Sequence, residues 1–411
     1  MSAEALTILL IEDSPTDRLL VRATLDASRL DRFAVIEEDH LEDGISRAGS
    51  EPFDVVLLDL TLPDSRGIET FYRAHAAMPD VPVVVLSGLA DEEIAMNAVQ
   101  HGAQDYLLKS FAMKDLLPRA IRYAVERHRS RQLLEGYAEE LRVKNAMLED
   151  ELQMAREIQQ ALLPHHYPEV SDGTRTEGNR FQFSHYYRPA TVLSGDFFNI
   201  LPLSETRAGV LICDVMGHGV RAALIGALAR GAISRFMPIA AEPGRFLTSL
   251  NAELSTILKQ CEMTAFASAF YMVADVAERR LSYSNAGHPS ALVLRRDEGR
   301  TEWMHAGGHH LPLGLSDAVA YPSDETGIGS HDSVVLFTDG VYEAQNRFDE
   351  HYGFERLVGA VNRRIQEPCG ALLGDLVEDV QRFAGRDEFA DDVCLVGMDL
   401  VTSGPGLPDA A

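Results

Sequence analysis

A chain of 411 residues, 46% hydrophobic and 24% charged, is long enough for two or three domains and too apolar to be disordered over most of its length. Its 63 acidic against 37 basic residues give a formal charge of −26, a field that repels nucleic acid and anionic membranes and argues against a nucleic-acid output. Cys213, Cys261, Cys369 and Cys394 form no CxxC pair, no apolar run reaches about 18 residues, and Met1–Ile11 lacks a basic head, so the expectation is a cytoplasmic protein with reduced thiols, no membrane span and no signal peptide.

Residues 1–126 alternate short apolar runs with helical patterns. Leu6–Ile11, Val55–Leu60, Val81–Ser87 and Gln104–Leu108 read as strands, and Thr16–Ala27 and Asp91–His101 as helices. Strands apolar on both faces and separated by helices predict a doubly wound α/β domain with a parallel sheet, whose ligand site forms at the carboxyl ends of the strands. Glu12 and Asp13 follow the first of these strands, Asp59 lies near the end of the second, Ser87 ends the third and Lys109 follows the last. One strand-end Asp is usually a helix cap and one such Lys is usually solvated. Several carboxylates at neighbouring strand ends repel one another unless a cation sits between them, and Mg²⁺ suits an all-oxygen set. In that setting Asp59 is the phosphoryl acceptor, Asp13 a direct metal ligand and Glu12 a ligand through water. Lys109 pairs with phosphoryl oxygens and Ser87 hydrogen-bonds one of them.

With these residues in this order, the segment resembles a CheY-like receiver domain. The resemblance implies a sensor histidine kinase as partner, Tyr106 as the switch aromatic, and Glu12, Asp13, Asp59 and Thr61 as the metal-binding set. Ser110 departs from the family, which usually has Pro after the Lys.

From Lys114 to Leu163 Gly and Pro are nearly absent. Leu134, Leu141, Leu148, Ala155 and Leu162 recur every seven residues, with Tyr137, Lys144, Glu151 and Ile158 on the second seam. The spacing predicts a coiled-coil linker over 127–163 that makes a homodimer; the plainer alternative is one amphipathic helix packed on its own domain. Pro164 ends it.

Residues 164–400 read as an α+β domain. Strands are expected at Ala208–Cys213, Ala265–Asp275, Arg280–Asn285, Ser290–Leu294, Ser333–Thr338 and Val393–Met398, with helices at Arg221–Phe236, Pro243–Lys259 and Phe354–Gln366. The Gly- and Pro-containing tail, 401–411, is expected to be disordered. Asp196, Asp214, Asp339 and Asp391 stand in Gly-flanked turns or beside apolar strands, with no run of Lys or Arg near them. Carboxylates at the edge of a core are unfavourable unless paired or bound to metal, so four of them without cations imply metal. Two ions about 3.5–4 Å apart would activate a shared water for in-line attack on phosphorus, with the Val215 carbonyl completing a shell.

Those motifs, with Asn285-Ala286-Gly287-His288-Pro289 and the segment Ala155–Pro164, resemble the SpoIIE-like branch of the PPM-type serine/threonine phosphatases. The resemblance implies an αββα sandwich, two Mn²⁺ or Mg²⁺ ions bridged by Asp196 and Asp214 with Asp339 and Asp391 on one of them, and a phosphorylated STAS-domain protein as substrate. Ser194 and Asn199 replace residues common in the family. His218 and His288 read as supporting residues, and His309-His310 as a loop pair, since adjacent side chains on a strand face opposite ways. The expected function is a response regulator in which Asp59 controls a metal-dependent protein phosphatase. A non-catalytic adaptor, which loss of the acids would favour, and a small-molecule phosphatase, which a deep closed pocket would favour, are the alternatives.

Overall fold

The computed structural model describes residues 5–28, 32–88, 92–109, 113–164, 166–172, 178–217, 219–261, 264–307 and 311–402. The chain forms two compact units, Met1–Ala146 and Met147–Ala411.

In the first unit β1 (Leu6–Ile11), β2 (Phe33–Glu38), β3 (Val55–Asp59), β4 (Val83–Ser87) and β5 (Asp105–Leu108) form one parallel sheet in the order β2-β1-β3-β4-β5. Helices α1 (Pro15–Asp26), α2 (Leu41–Ala48), α3 (Ile68–Ala77) and α4 (Glu92–Gln100) connect them. Alternation along β1 sends Leu9 and Ile11 into one core with Val56, Leu58, Val83 and Val85, and Ile8 and Leu10 into a second with Val55, Leu57 and Val84. Both faces are thereby covered, as the apolar runs require. Gly44 on α2 permits that closeness, because a Cβ there would stand 2.4 Å from the Ile11 side chain. Ser14 caps α1, its Oγ accepting from the Asp17 N–H at 3.3 Å, with Pro15 in the first turn.

Helix α5 runs from Met113 to Leu162. Leu117, Ile121, Ala124 and Val125 bury its beginning, and His128, also buried, bonds the Asp80 carbonyl through Nε2 at 2.8 Å. Helix α5, which covers the first sheet, therefore continues past residue 127 without a break. Beyond it, seam residues Leu134, Tyr137, Leu141, Leu148, Ile158 and Leu162 are 44–69% exposed. Ile158 and Leu162 line an apolar pocket with Tyr187, Ala223 and Leu224, yet stay 60% and 44% exposed.

In the second unit β8 (Phe197–Pro202), β9 (Arg207–Val215), β10 (Ala267–Asp275), β11 (Arg280–Ala286) and β14 (Asp324–Gly327) form an antiparallel sheet in the order β14-β11-β10-β9-β8. The other sheet joins β6 (Val170–Ser171), β7 (Asn179–Arg188), β12 (Leu292–Arg295), β13 (Arg300–Trp303), β15 (Ser333–Phe337) and β16 (Val393–Thr402) in the order β13-β12-β15-β16-β7-β6. Phe198, Val210, Ile212, Phe270 and Met272 meet Val293, Val334, Leu336, Cys394 and Val396 between the sheets. Helices α6 (Val220–Phe236) and α7 (Pro243–Gln260) cover the outer face of the first sheet, and α8 (Gly353–Arg363) and α9 (Cys369–Ala384) that of the second. This is the αββα sandwich.

Val220–Ile239 is long and apolar enough by length and composition to cross a membrane. Ala222, Ile225, Ala229 and Ile233 instead pack on Leu211, Cys213 and Val215, which accounts for its apolarity. Strands β2, β6, β7, β8, β13 and β14 and helices α2, α3 and α9 were not singled out from the sequence. Val401 and Thr402, expected in the tail, belong to β16, and 403–411 lie outside the described residues.

Candidate functional site

In the first unit the expected residues gather at the carboxyl ends of the parallel strands. Lys109 Nζ lies 2.6 Å from Glu12 Oε2, 2.9 Å from Asp59 Oδ2 and 3.3 Å from Asp17 Oδ2. Glu12, Asp13 and Asp59 present oxygens within 4.8 Å of one another, a spacing one ion can span. Burial pushes the Glu12 carboxyl up to about 7 despite Lys109, and burial also raises Asp59. One lysine thus leaves excess buried acid, which a divalent cation fits. The Thr61 N–H bonds Asp59, Tyr106 is half-buried against the core, and Ser87 Oγ is buried without a partner among the described residues. Asp17, from the first turn of α1, is a member the sequence did not single out. Ser110 lies outside the described residues.

In the second unit antiparallel pairing places the four acids. Phe197 pairs with Cys213, so Asp196 and Asp214 adjoin at one end of the first sheet. Phe337 pairs with Leu395, which puts Asp339 and Asp391 at neighbouring strand ends of the second. The carboxylates act on one another across the gap. Burial, then Asp339 and Asp391, push Asp214 up to about 7, while a hydrogen bond with Asp196 opposes them. Burial and Asp391 push Asp339 up to about 6. Burial and Asp214 hold Asp196 well above the carboxylate range, against a Thr338 hydrogen bond, and its Oδ2 is buried with no partner among the described residues. Protons are thus retained where cations would stabilise the ionised acids.

The loops holding these acids are themselves tied down. Asp392, buried, accepts from the Ala190 N–H through Oδ1 and from the Gly195 N–H through Oδ2, both at 2.8 Å. Gly195 must be glycine, because a Cβ would stand 2.7 Å from the Val215 carbonyl oxygen. That carbonyl therefore turns toward the Asp196 loop, where a ligand role for Val215 requires it. Near the end of α5, Gln159 Nε2 donates to the Ser194 carbonyl at 2.7 Å and its Oε1 accepts from the Ser194 N–H at 3.1 Å. Neither Asp392 nor Gln159 had been assigned a role from the sequence. An apolar pocket lined by Ile158, Leu162, Tyr187, Ala223 and Leu224 lies beside this clamp and reaches Asp196. His218, His309 and His310 lie outside the described residues.

Residues 204–401 match the family model described as Stage II sporulation protein E (SpoIIE), and residues 8–121 match the response regulator receiver domain. Phosphoserine phosphatase RsbP of Bacillus subtilis is 31% identical over 251 residues, 61% of this chain and 58% of that protein. The KDP operon transcriptional regulatory protein KdpE of Escherichia coli is 37% identical over 121 residues, 29% of this chain and 52% of that one. The chain spans about half the length of such curated relatives. Among solved structures the SiaA-PP2C domain of Pseudomonas aeruginosa superposes with a TM-score of 0.52 at 19% identity, covering 62% of this chain and 98% of that one, a likeness of fold.

Proposed function

We propose that this chain, a response-regulator receiver domain joined by a long helix to a PPM-type domain of the SpoIIE family, is a metal-dependent protein serine/threonine phosphatase controlled by phosphorylation at Asp59. The observation that carries the reading is the meeting of Asp196, Asp214, Asp339 and Asp391 from two sheets, with protons held on acids that no cation pairs among the described residues. Asp196, Asp214, Asp339 and Asp391, with the Val215 carbonyl, would hold the ions. Bound Mn²⁺ or Mg²⁺ supplies hydroxide at neutral pH and neutralises charge on the phosphoryl oxygens. The protein's part is to hold the ligands rigid: Asp392 fixes the Gly195 loop and Gln159 fixes Ser194.

Similarity to a phosphoserine phosphatase supports a phosphoprotein substrate, and within that class we favour a STAS-domain protein. A sensor histidine kinase would supply the phosphoryl group to Asp59, with Mg²⁺ held by Glu12, Asp13, Asp59 and the Thr61 backbone, Lys109 and Ser87 binding the phosphoryl oxygens and Tyr106 responding. The exposed seam of α5 supports a homodimer, through which the receiver state reaches Gln159 and the metal loop. Four free cysteines fit a cytoplasmic setting. The test is hydrolysis of p-nitrophenyl phosphate by the full chain with Mn²⁺, against chelator and against Asp214→Asn. Activity in Mn²⁺ only, lost in the variant, is expected. Equal rates in all three would refute catalysis at this centre and leave a non-catalytic adaptor. Beryllofluoride, with Asp59→Asn as control, then tests the regulation; unchanged rates would end it.

A further inference from the structure

His288 is buried at 6% exposure, yet the metal chemistry above gives it nothing to do. Its Nδ1 stands 2.7 Å from Ser268 Oγ. Ser268 pairs with Asp214 across β9 and β10, and directly opposed residues of antiparallel strands face the same side. Phe270 and Met272, at the same parity on β10, lie in the core between the sheets, so Ser268 faces the gap beside Asp214. On its other flank the ring meets the backbone of Phe337, whose carbonyl is the one group opposing the burial that pushes the imidazole down to about 3. Phe337 ends β15, two residues before Asp339. The ring thus touches both sheets next to the two acid pairs.

The turn that carries it is built to hold one geometry. Asn285 Nδ2 donates to the His288 carbonyl and its Oδ1 accepts from the His288 N–H, each at 2.8 Å. Gly287 sits at φ 73° against Pro312, where a Cβ would approach the proline ring to 2.9 Å. A neutral imidazole offers one donor and one acceptor, so it can serve a hydroxyl on one side and a carbonyl on the other. Among the described residues the buried His288 Nε2 has no partner at normal hydrogen-bond geometry, an arrangement that needs a reason.

Building on the two-ion reading, we propose that His288 is a positioning residue that spans the sandwich from Ser268 to the Phe337 strand end and sets the separation between the Asp196–Asp214 and Asp339–Asp391 pairs. It touches neither ion nor substrate. Its effect is on how well two ions fit, as groups behind metal ligands commonly change affinity by about ten- to a hundredfold.

The test is direct Mn²⁺ binding by calorimetry on the full chain, with p-nitrophenyl phosphate turnover followed across Mn²⁺ concentrations. Asp214→Asn marks the binding that belongs to this centre rather than to the receiver. Ser268→Ala, which keeps its Cβ and strand pairing, and His288→Ala are each expected to weaken that binding about tenfold and to raise the Mn²⁺ needed for half-maximal rate in proportion. The double variant should lose no more than the worse single one, because one linkage is broken either way. His288→Gln, which keeps a donor and an acceptor, should recover part of the loss. Unchanged Mn²⁺ affinity in both single variants, or losses that add in the double, overturns the proposal. Wild type that binds no more Mn²⁺ than Asp214→Asn removes the two-ion reading itself, a result seen without any His288 variant.

Discussion

The raised Asp214 carboxyl makes the metal-free protein less stable as pH rises, and the size can be worked out. An unfolded chain ionises this group near 3.8, whereas the folded one holds its proton to about 7. Between those values the native state binds a proton that the unfolded state lacks, so stability is full below the lower value and falls as pH climbs through the upper. At about 1.36 kcal/mol per tenfold change in proton affinity, the loss approaches about 4 kcal/mol. Asp339, raised to about 6, acts in the same direction, but it is partly solvated and interacts with the same acids, so the two do not add. A total of about 2–4 kcal/mol is expected. The chain has a single tryptophan, Trp303, packed against Phe337 and Phe354 in the second unit, so its fluorescence reports that unit alone. Urea unfolding in chelator between pH 5 and 7.5 should therefore show wild type losing stability while Asp214→Asn, unable to ionise there, loses less. Mn²⁺ at a hundred times its dissociation constant should return about 2.7 kcal/mol to wild type and little to the variant. If the two proteins followed parallel curves, or wild type gained stability toward pH 7.5 in chelator, the buried-acid account of this centre would be wrong.

Gln159→Ala removes both bonds to Ser194 and should lower Mn²⁺-dependent turnover while reducing stability by only about 1–2 kcal/mol, read by Trp303 unfolding. Gly195→Ala should abolish activity through the clash with the Val215 carbonyl, whereas Gly231→Ala, in α6 with open space around it, should leave activity alone and stabilise by about 0.5–1 kcal/mol. Leu141→Asp with Leu148→Asp should convert a dimer to a monomer by light scattering; a mass unchanged by the substitutions would exclude the seam.

The first unit's site was legible because Glu12, Asp13, Asp59, Ser87 and Lys109 each stand at or just beyond the end of an apolar strand. Such strands are continuous hydrophobic runs, and their ends can be read directly from the sequence. Strand β2 escaped because its Phe33–Glu38 segment closes on Glu37 and Glu38 and is only partly buried. In the second unit β7 and β14 alternate polar with apolar residues or are polar throughout, so no run announces them. Asp17 was invisible for another reason. It enters the site from the first turn of a helix, where an acidic residue is ordinary and local sequence gives no sign of its reach to Lys109.

The acids of the second unit obey a rule the sequence does carry, which separates those that hold the loops from those that only border them. On β9, Val210 and Ile212 face the gap between sheets, so Asp214 continues the inward set; on β8, Phe198 and Ile200 extend it back to Asp196. On β16, Cys394, Val396 and Met398 face inward, which places Asp392 on the same side, while Asp391 falls one residue out of step. Burial follows that parity: Asp196 and Asp392 are nearly inaccessible and Asp391 is exposed. An inward acid must find donors or cations. Asp392 finds the N–H groups of Ala190 and Gly195, and Asp196 is left with Oδ2 unpaired. Asp391, exposed on the turn, accepts among the described residues only from the adjacent Asp392 N–H through Oδ1 at 2.8 Å, which would leave Oδ2 to reach an ion from the open side. Two adjacent acids thus divide the work, the buried one bracing the loop and the exposed one left to offer a ligand in the proposed two-ion reading, because alternation along a strand permits only one of them to enter the core.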